Sequence, residues 1–229
     1  QLCADNNMQV AVPTTGAQLF HLLRRQVKRS FRKPLIIATP KAHLRKETST
    51  VEELVTGRFW EIMDDPAFTA RSGDRARVRR VVFCSGKIGH ELMERRDAIG
   101  RDDVAIVRVE QIYPFHEQLA REIVARYPGA KEMVWCQEEP RNTGAYLFVS
   151  DIFRSRLGVE LTYIGRRPAA SPAVGSKKAH KHEQEDILTE AVGAAPSKDA
   201  PAKDPSSKEA ASRPTEQGKG VKAKAAATH

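Results

Sequence analysis

Between residues 79 and 193 the chain repeats one pattern: a short apolar run, a polar turn, then an amphipathic stretch. The apolar runs are Arg80–Cys84, Val104–Val109, Met133–Cys136 and Val159–Ile164. Each is too short to be a buried helix and most are rich in Val and Ile, so each reads as a strand. The stretches that follow, Ile88–Asp97, Phe115–Tyr127, Asn142–Arg156 and Lys181–Val192, read as helices. Strands that alternate with helices need crossover connections, and near-continuous apolar strands are buried on both faces. The pattern therefore predicts an α/β fold with a mainly parallel sheet and flanking helices. The last helix should bury Ile187, Leu188, Ala191 and Val192, with Gly193 as its C-terminal cap.

In such sheets, ligands meet the chain at the carboxyl ends of strands. The junction V-W-C-Q-E-E-P-R-N-T-G-A-Y at 134–146 is the richest of these. Pro140 biases Glu139 away from helical dihedrals, and Asn142 is placed to cap the next helix. At Ser85-Gly86-Lys87 the lysine is followed by Ile88, so the turn is not a nucleotide-binding P-loop. A tight turn with Gly86 at positive φ is the plainer reading, and an anion contact at the helix N-terminus the sharper one. Glu110-Gln111-Ile112-Tyr113-Pro114-Phe115 is expected to end a strand and open a helix. Glu110, Glu138 and Glu139 form a carboxylate set with no nucleophile, metal donors or cofactor loop beside it. They are expected to pair with Arg108, Arg141 or Arg166 rather than to act as acid and base.

The flanks differ. Met8–Val12 and Leu35–Thr39 read as strands around a helix at 16–30, opened by a Thr15/Gln18 capping box. Phe20, Leu23 and Val27 have the spacing of a buried stripe, with Arg24, Arg25, Lys28 and Arg29 largely on other faces. Residues 1–45 are then the β-α-β end of another domain, whose strands at 8–12 and 35–39 would leave an exposed, aggregation-prone edge. Residues 46–78 read as an inter-domain connection with one or two short helical turns. Residues 79–193 form the main domain, and 194–229, without aromatics, a disordered tail.

The formal net charge is +9, with cations clustered at Arg24–Lys33 and Arg71–Arg80. No aromatic side chains interleave as a single-strand binder requires, so a nucleic-acid partner is not expected. Arginine forks at Arg24, Arg25, Arg29 and Arg32, with Lys33, suit a phosphorylated small molecule better. The three cysteines, Cys3, Cys84 and Cys136, make no C-x-x-C motif, and Cys84 and Cys136 read as buried thiols in a reducing compartment. His180 and His182 are spaced wrongly for two metal ligands on a helix, and His21 reads as a packing residue. No apolar run is long enough for a membrane span. The first residues read as a helix end, so the natural start of the chain is expected upstream.

Five motifs together carry a resemblance: N-M-Q-V-A-V-P at 7–13, S-G-K at 85–87, V-R-V-E-Q-I-Y-P at 107–114, the 134–146 junction, and S-P-A-V-G at 171–175. Over roughly residues 1–193 the chain resembles the C-terminal part of the 2-oxoglutarate dehydrogenase E1 family. The resemblance implies that 1–45 ends a transketolase-like pyrimidine-binding domain and that 79–193 is a transketolase-like C-terminal domain. It implies oxidative decarboxylation of 2-oxoglutarate with succinyl transfer to lipoyl-E2, thiamine diphosphate and Mg²⁺ in the full-length enzyme, and no cofactor bound by these residues alone. The implied partners are a second copy in a homodimer, dihydrolipoyl succinyltransferase (E2) and dihydrolipoyl dehydrogenase (E3). The compartment would be the mitochondrial matrix in a eukaryote and the cytoplasm in a bacterium. No catalytic or metal-binding residue of the family falls within the chain. Relatives that bind acetyl-CoA as an activator imply an effector site at Arg25, Arg58 and Gln111, although Gln118 and Leu119 replace an arginine pair of that site. Two alternatives stay open: a 2-oxoadipate dehydrogenase E1, and a non-catalytic assembly or effector-binding module of the same fold.

Overall fold

A computed structural model describes residues 2–41, 46–69 and 72–194. The expected tail, from 195 onward, lies outside the described residues. In chain order the elements are β1 (Gln9–Ala11), α1 (Gly16–Lys28), β2 (Leu35–Ile37), α2 (Val51–Thr56), β3 (Ile62–Met63) and α3 (Pro66–Thr69). A 3-10 turn at Ser72–Arg77 leads to β4 (Arg80–Cys84), α4 (Ile88–Ile99), β5 (Val104–Val109), β6 (Gln111–Tyr113) and α5 (Glu117–Ala125). Then come β7 (Glu132–Pro140), α6 (Tyr146–Ile152) with a π-helical turn at Phe153–Leu157, β8 (Thr162–Arg166) and α7 (Lys177–Ala191).

The larger sheet has the order β3-β5-β4-β7-β8. It is parallel throughout except for β3, which runs antiparallel to β5. Successive side chains of a strand point to opposite faces. Val81, Phe83, Val107 and Trp135 therefore enter one core. Val82, Cys84, Ile106 and Cys136 enter the other, against Ile187, Leu188 and Ala191 of α7. Two dry faces are why these strands read as continuous apolar runs. The α/β reading, a parallel-rich sheet with flanking helices, holds.

Residues 46–78 contain the expected short helix, α2, opened by a Thr50/Glu53 capping box. They also supply β3 and a polar bracket for the larger sheet. Asp65, fully buried, accepts from the Ile106 N–H at 2.7 Å and pairs with buried Arg96 of α4. Asp64 pairs with Arg75 and Arg126, each at 3.0 Å, and accepts from the Tyr127 hydroxyl. At the other end, arginines fasten α7. Arg80 donates to the Glu190 and Ala191 carbonyls, Arg101 to Val192 and Arg95 to Gly193. These forks satisfy carbonyls that a helix C-terminus leaves orphaned.

The smaller sheet has the order β2-β1-β6. Here three expectations are corrected. The 110–115 segment does not pass directly from strand to helix: Gln111–Tyr113 forms β6, antiparallel to β1. Hence β1 is the central strand, and of the two strands expected at an edge only β2 is one, with β6 at the other side. The stripe Phe20, Leu23 and Val27 is not buried; these side chains are 47%, 48% and 74% exposed. α1 instead turns Ala17, Gln18, His21 and Leu22 inward. Two of those are polar and find backbone partners there: Gln18 exchanges hydrogen bonds with the Trp60 backbone, and His21 Nε2 lies 2.8 Å from the Glu53 carbonyl, while His21 Nδ1 is buried without a hydrogen bond. Thr15 caps the helix through the Gln18 N–H, but the Gln18 amide is committed to Trp60, so only half of the capping box forms.

A fourth correction concerns Asn142. α6 starts at Tyr146, and the Asn142 amide exchanges two hydrogen bonds with the Ala169 backbone, tying two loops together.

Candidate functional site

The two sheets meet at one residue. Glu110 stands between β5 and β6, so the chain leaves the larger sheet and enters the smaller one there. It is fully buried. Its carboxylate accepts from the Thr14 N–H at 2.7 Å and from the Thr14 hydroxyl at 2.5 Å. The Thr14 hydroxyl in turn accepts from Arg108 Nη1 at 2.9 Å, and the Thr14 carbonyl lies 2.8 Å from His90 Nε2. Burial pushes the Glu110 carboxyl up to about 7, against the pull of Arg108 and the hydrogen bonds from Thr14 and Gln18. Glu110 thus staples the entry of α1 to the end of β5.

Of the effector residues implied by resemblance, Arg25 is on α1, Arg58 lies between α2 and β3, and Gln111 is on β6. Arg25 and Gln111 are brought together, with Arg25 Nη2 2.5 Å from Gln111 Oε1 and 3.1 Å from Gln9 Oε1. Arg25 Nη1 forms an ion pair with Glu61 at 2.7 Å, and the guanidinium stacks over Phe59. Burial, with Arg29 nearby, lowers Arg25 to about 10 while Glu61 opposes the shift. Arg58 has no hydrogen bond to this group. It is exposed and stacks on Trp60, its guanidinium 3.6 Å from the ring centroid.

Behind this cluster a cavity of about 630 Å³ opens between the sheets. Its walls include Val10 of β1, Val12 just after it and Tyr113 of β6 on one side, and Trp135 and Gln137 of β7 with Phe148 of α6 on the other. Ser85-Gly86-Lys87 forms the turn after β4, with Gly86 at φ 79°, as a tight turn requires. Lys87 is bound to Glu138 and, at 2.8 Å, to Glu91. Those contacts outweigh burial and raise its pKa. The lysine is therefore committed to carboxylates and not displayed to an anion. Glu138 and Glu139 border both this cavity and a second, of about 850 Å³, beside β8 and α7. The expected arginine pairing of the acids is partly corrected. Glu138 uses its carboxylate on Lys87, and only its backbone carbonyl accepts from Arg166. Arg166 itself pairs with Glu183 at 2.7 Å.

Spacing did not reveal Gln137. Its side chain accepts from Trp135 Nε1 and the Tyr146 N–H, and donates to the Thr143 carbonyl at 2.9 Å. It sets the whole loop from β7 to α6. The chemistry available here is limited. Burial pushes the Cys84 thiol up to about 12 and raises Cys136 as well, which makes both inert as nucleophiles. Among the described residues no group of three His, Cys, Asp or Glu side chains is arranged to hold a metal ion. Among the described residues no helix is long and apolar enough to cross a membrane.

Comparison with known proteins divides the chain in two. Residues 48–192 match the family "2-oxoglutarate dehydrogenase C-terminal", and residues 1–47 match "Transketolase, pyrimidine binding domain". The chain is 44% identical over 198 residues to the 2-oxoglutarate dehydrogenase E1 component of Azotobacter vinelandii, covering 83% of this chain and 21% of that protein. It is 45% identical over 193 residues to that of Cupriavidus necator, covering 82% and 20%. The chain therefore spans about a fifth of the length of these relatives. Among solved structures, an inactive β4 tetramer of a split-gene transketolase aligns with a TM-score of 0.55 at 15% identity, over 81% of this chain and 58% of the other. At that identity the likeness speaks for the fold alone.

Proposed function

The chain belongs to the 2-oxoglutarate dehydrogenase E1 family, and we propose that its residues serve as the C-terminal, bracing portion of such an enzyme. In this reading the complete enzyme decarboxylates 2-oxoglutarate oxidatively and passes the succinyl group to a lipoyl-bearing E2, in a complex that also contains E3. Thiamine diphosphate with Mg²⁺ supplies the carbon chemistry and is held by residues other than these. The described residues do three things. They close the parallel sheet, pin the smaller sheet to it through Glu110 and Thr14, and offer Arg25 and Gln111 as part of an effector site. An anionic effector at Arg25 has to displace Glu61. A homodimer, and a mitochondrial or cytoplasmic location according to the host, complete the proposal.

The observation that carries this reading is the pair of family matches, which follow one another along the chain in the order expected of an E1 C-terminus. The test is direct. The purified 229-residue chain is assayed with 2-oxoglutarate, thiamine diphosphate, Mg²⁺ and an artificial electron acceptor. No turnover is expected. Turnover above the protein-free rate would overturn the assignment of a bracing role.

A further inference from the structure

The larger sheet sets two thiols side by side in its core. Cys84 ends β4, Cys136 stands in β7, and the two are register partners across this parallel pair. In-register neighbours project to the same face. Both side chains enter the core that α7 covers. Paired strands lie about 4.7–4.9 Å apart, inside the Cα separation of about 4.4–6.8 Å that a disulfide spans. The Cys84 sulfur has room because α4 carries Gly89 there; a Cβ at that position would lie 3.2 Å from Sγ. Burial, with Cys84 beside it, holds the Cys136 thiol well above its ordinary value. Both thiols are free, as is Cys3, which is half-buried and outside this core. A metal ion would need further donors, and among the described residues no third His, Cys, Asp or Glu completes such a group. A disulfide needs no added atom.

We infer that Cys84 and Cys136 are a dithiol oxidation site, which a peroxide converts to a disulfide that staples β4 to β7. While α7 is seated, both thiols are fully buried and unreactive. The hold of α7 on the sheet rests on four buried side chains, Gln184, Ile187, Leu188 and Ala191, and on arginine contacts to its last carbonyls. Peripheral segments with few buried contacts are the ones that open locally. When the helix lifts, water reaches Cys136 and its thiolate becomes available. The thiolate attacks one peroxide oxygen, the O–O bond breaks, and a sulfenic acid and hydroxide form. The Cys84 thiolate then attacks the sulfenic sulfur, the S–O bond breaks, and a second hydroxide leaves. Each hydroxide takes up the proton that its thiol released. Two thiols thus lose two electrons, and one peroxide is reduced to two waters. The staple fixes the two strands that carry Lys87 and Glu138 at their carboxyl ends.

The experiment treats the folded, dilute 229-residue chain with hydrogen peroxide. Remaining thiols are then alkylated in denaturant, and a digest is mapped by mass spectrometry without reductant. A peptide pair joined through Cys84 and Cys136, and separated by dithiothreitol, is expected, with Cys3 outside it. Far-ultraviolet circular dichroism of the oxidised chain should match that of the untreated one. Arg80→Ala frees the Glu190 and Ala191 carbonyls at the end of α7 and should speed cross-linking by roughly 5–30-fold. Cys3→Ser should leave the rate unchanged. Disulfides to Cys3, sulfinic acid at Cys84 or Cys136 without a cross-link, or both thiols intact after Cys3 has been oxidised would overturn the inference. Cross-linking that appears only in urea concentrations that unfold the chain, or at the same rate in Arg80→Ala, would overturn it too.

Discussion

Replacing Glu110 by Gln isolates the ionisation of the residue that joins the two sheets. A neutral amide mimics the protonated acid. Its oxygen can accept from the Thr14 N–H, and its NH₂ can donate to the Thr14 hydroxyl. The folded carboxyl holds its proton up to about 7, against an ordinary value of 4.5. Its folded pKa is raised, so the stability it contributes is fully present below about 4.5 and is lost as pH rises through about 7. Linkage between those two values gives a loss of about 2.5 kcal/mol between pH 5 and pH 8. The charged and titratable groups around it are Arg108, His90 through Thr14, and Cys84. All three remain in the variant, so their own contributions largely cancel in the difference. Urea denaturation of both proteins from pH 5 to pH 8 is the assay. The two should be about equally stable at pH 5, and the Gln variant should be more stable by on the order of 2 kcal/mol at pH 8. Parallel pH profiles would refute the reasoning, and so would a Gln variant that loses ground as pH rises.

Other perturbations probe the supports around the site. Arg96→Ala leaves Asp65 buried without its cation, and unfolding free energy should fall by about 3–5 kcal/mol; a loss below about 1 kcal/mol in urea melts would contradict the bracket. Gly144 has φ 68°, and a Cβ there would lie 2.8 Å from the Gln137 amide. Gly144→Ala should therefore destabilise by roughly 1–3 kcal/mol and change the near-ultraviolet circular dichroism of Trp135. Arg80→Ala removes the forks to the Glu190 and Ala191 carbonyls and should cost on the order of 1–2 kcal/mol. Hydrogen exchange should then quicken in the last turn of α7 before it does in β4.

Much of the larger domain was legible because its strands are dry on both faces. Val81–Cys84, Val104–Val109 and Val134–Cys136 are buried throughout, and so they stand out as apolar runs against polar turns. The smaller sheet was harder to read. β6 is three residues long and sits between a buried acid and Pro114, so no periodicity marks it. α1 has two faces able to pack, and its sequence favours the more apolar one. The sheet takes the other because Gln18 and His21 find backbone partners there, set by residues 53 and 60. Asp65 lies in a polar stretch that reads as solvated, and its burial depends on Arg96, 31 positions away. Arg25 and Gln111 were named through the family motifs. Their contact spans 86 positions, which no local spacing can show.

The central claim is that these residues complete and brace a 2-oxoglutarate dehydrogenase E1 without carrying its carbon chemistry. A chimera tests it most directly: this chain joined to the Azotobacter vinelandii E1 component in place of the matching C-terminal fifth. The measurement is 2-oxoglutarate-dependent reduction of an artificial acceptor with thiamine diphosphate and Mg²⁺, beside the chain alone and the relative without its C-terminal fifth. Turnover by the chimera, with neither part active alone, is the predicted result. A folded, thiamine-binding chimera that does not turn over 2-oxoglutarate would contradict the account, as would turnover by the 229-residue chain alone.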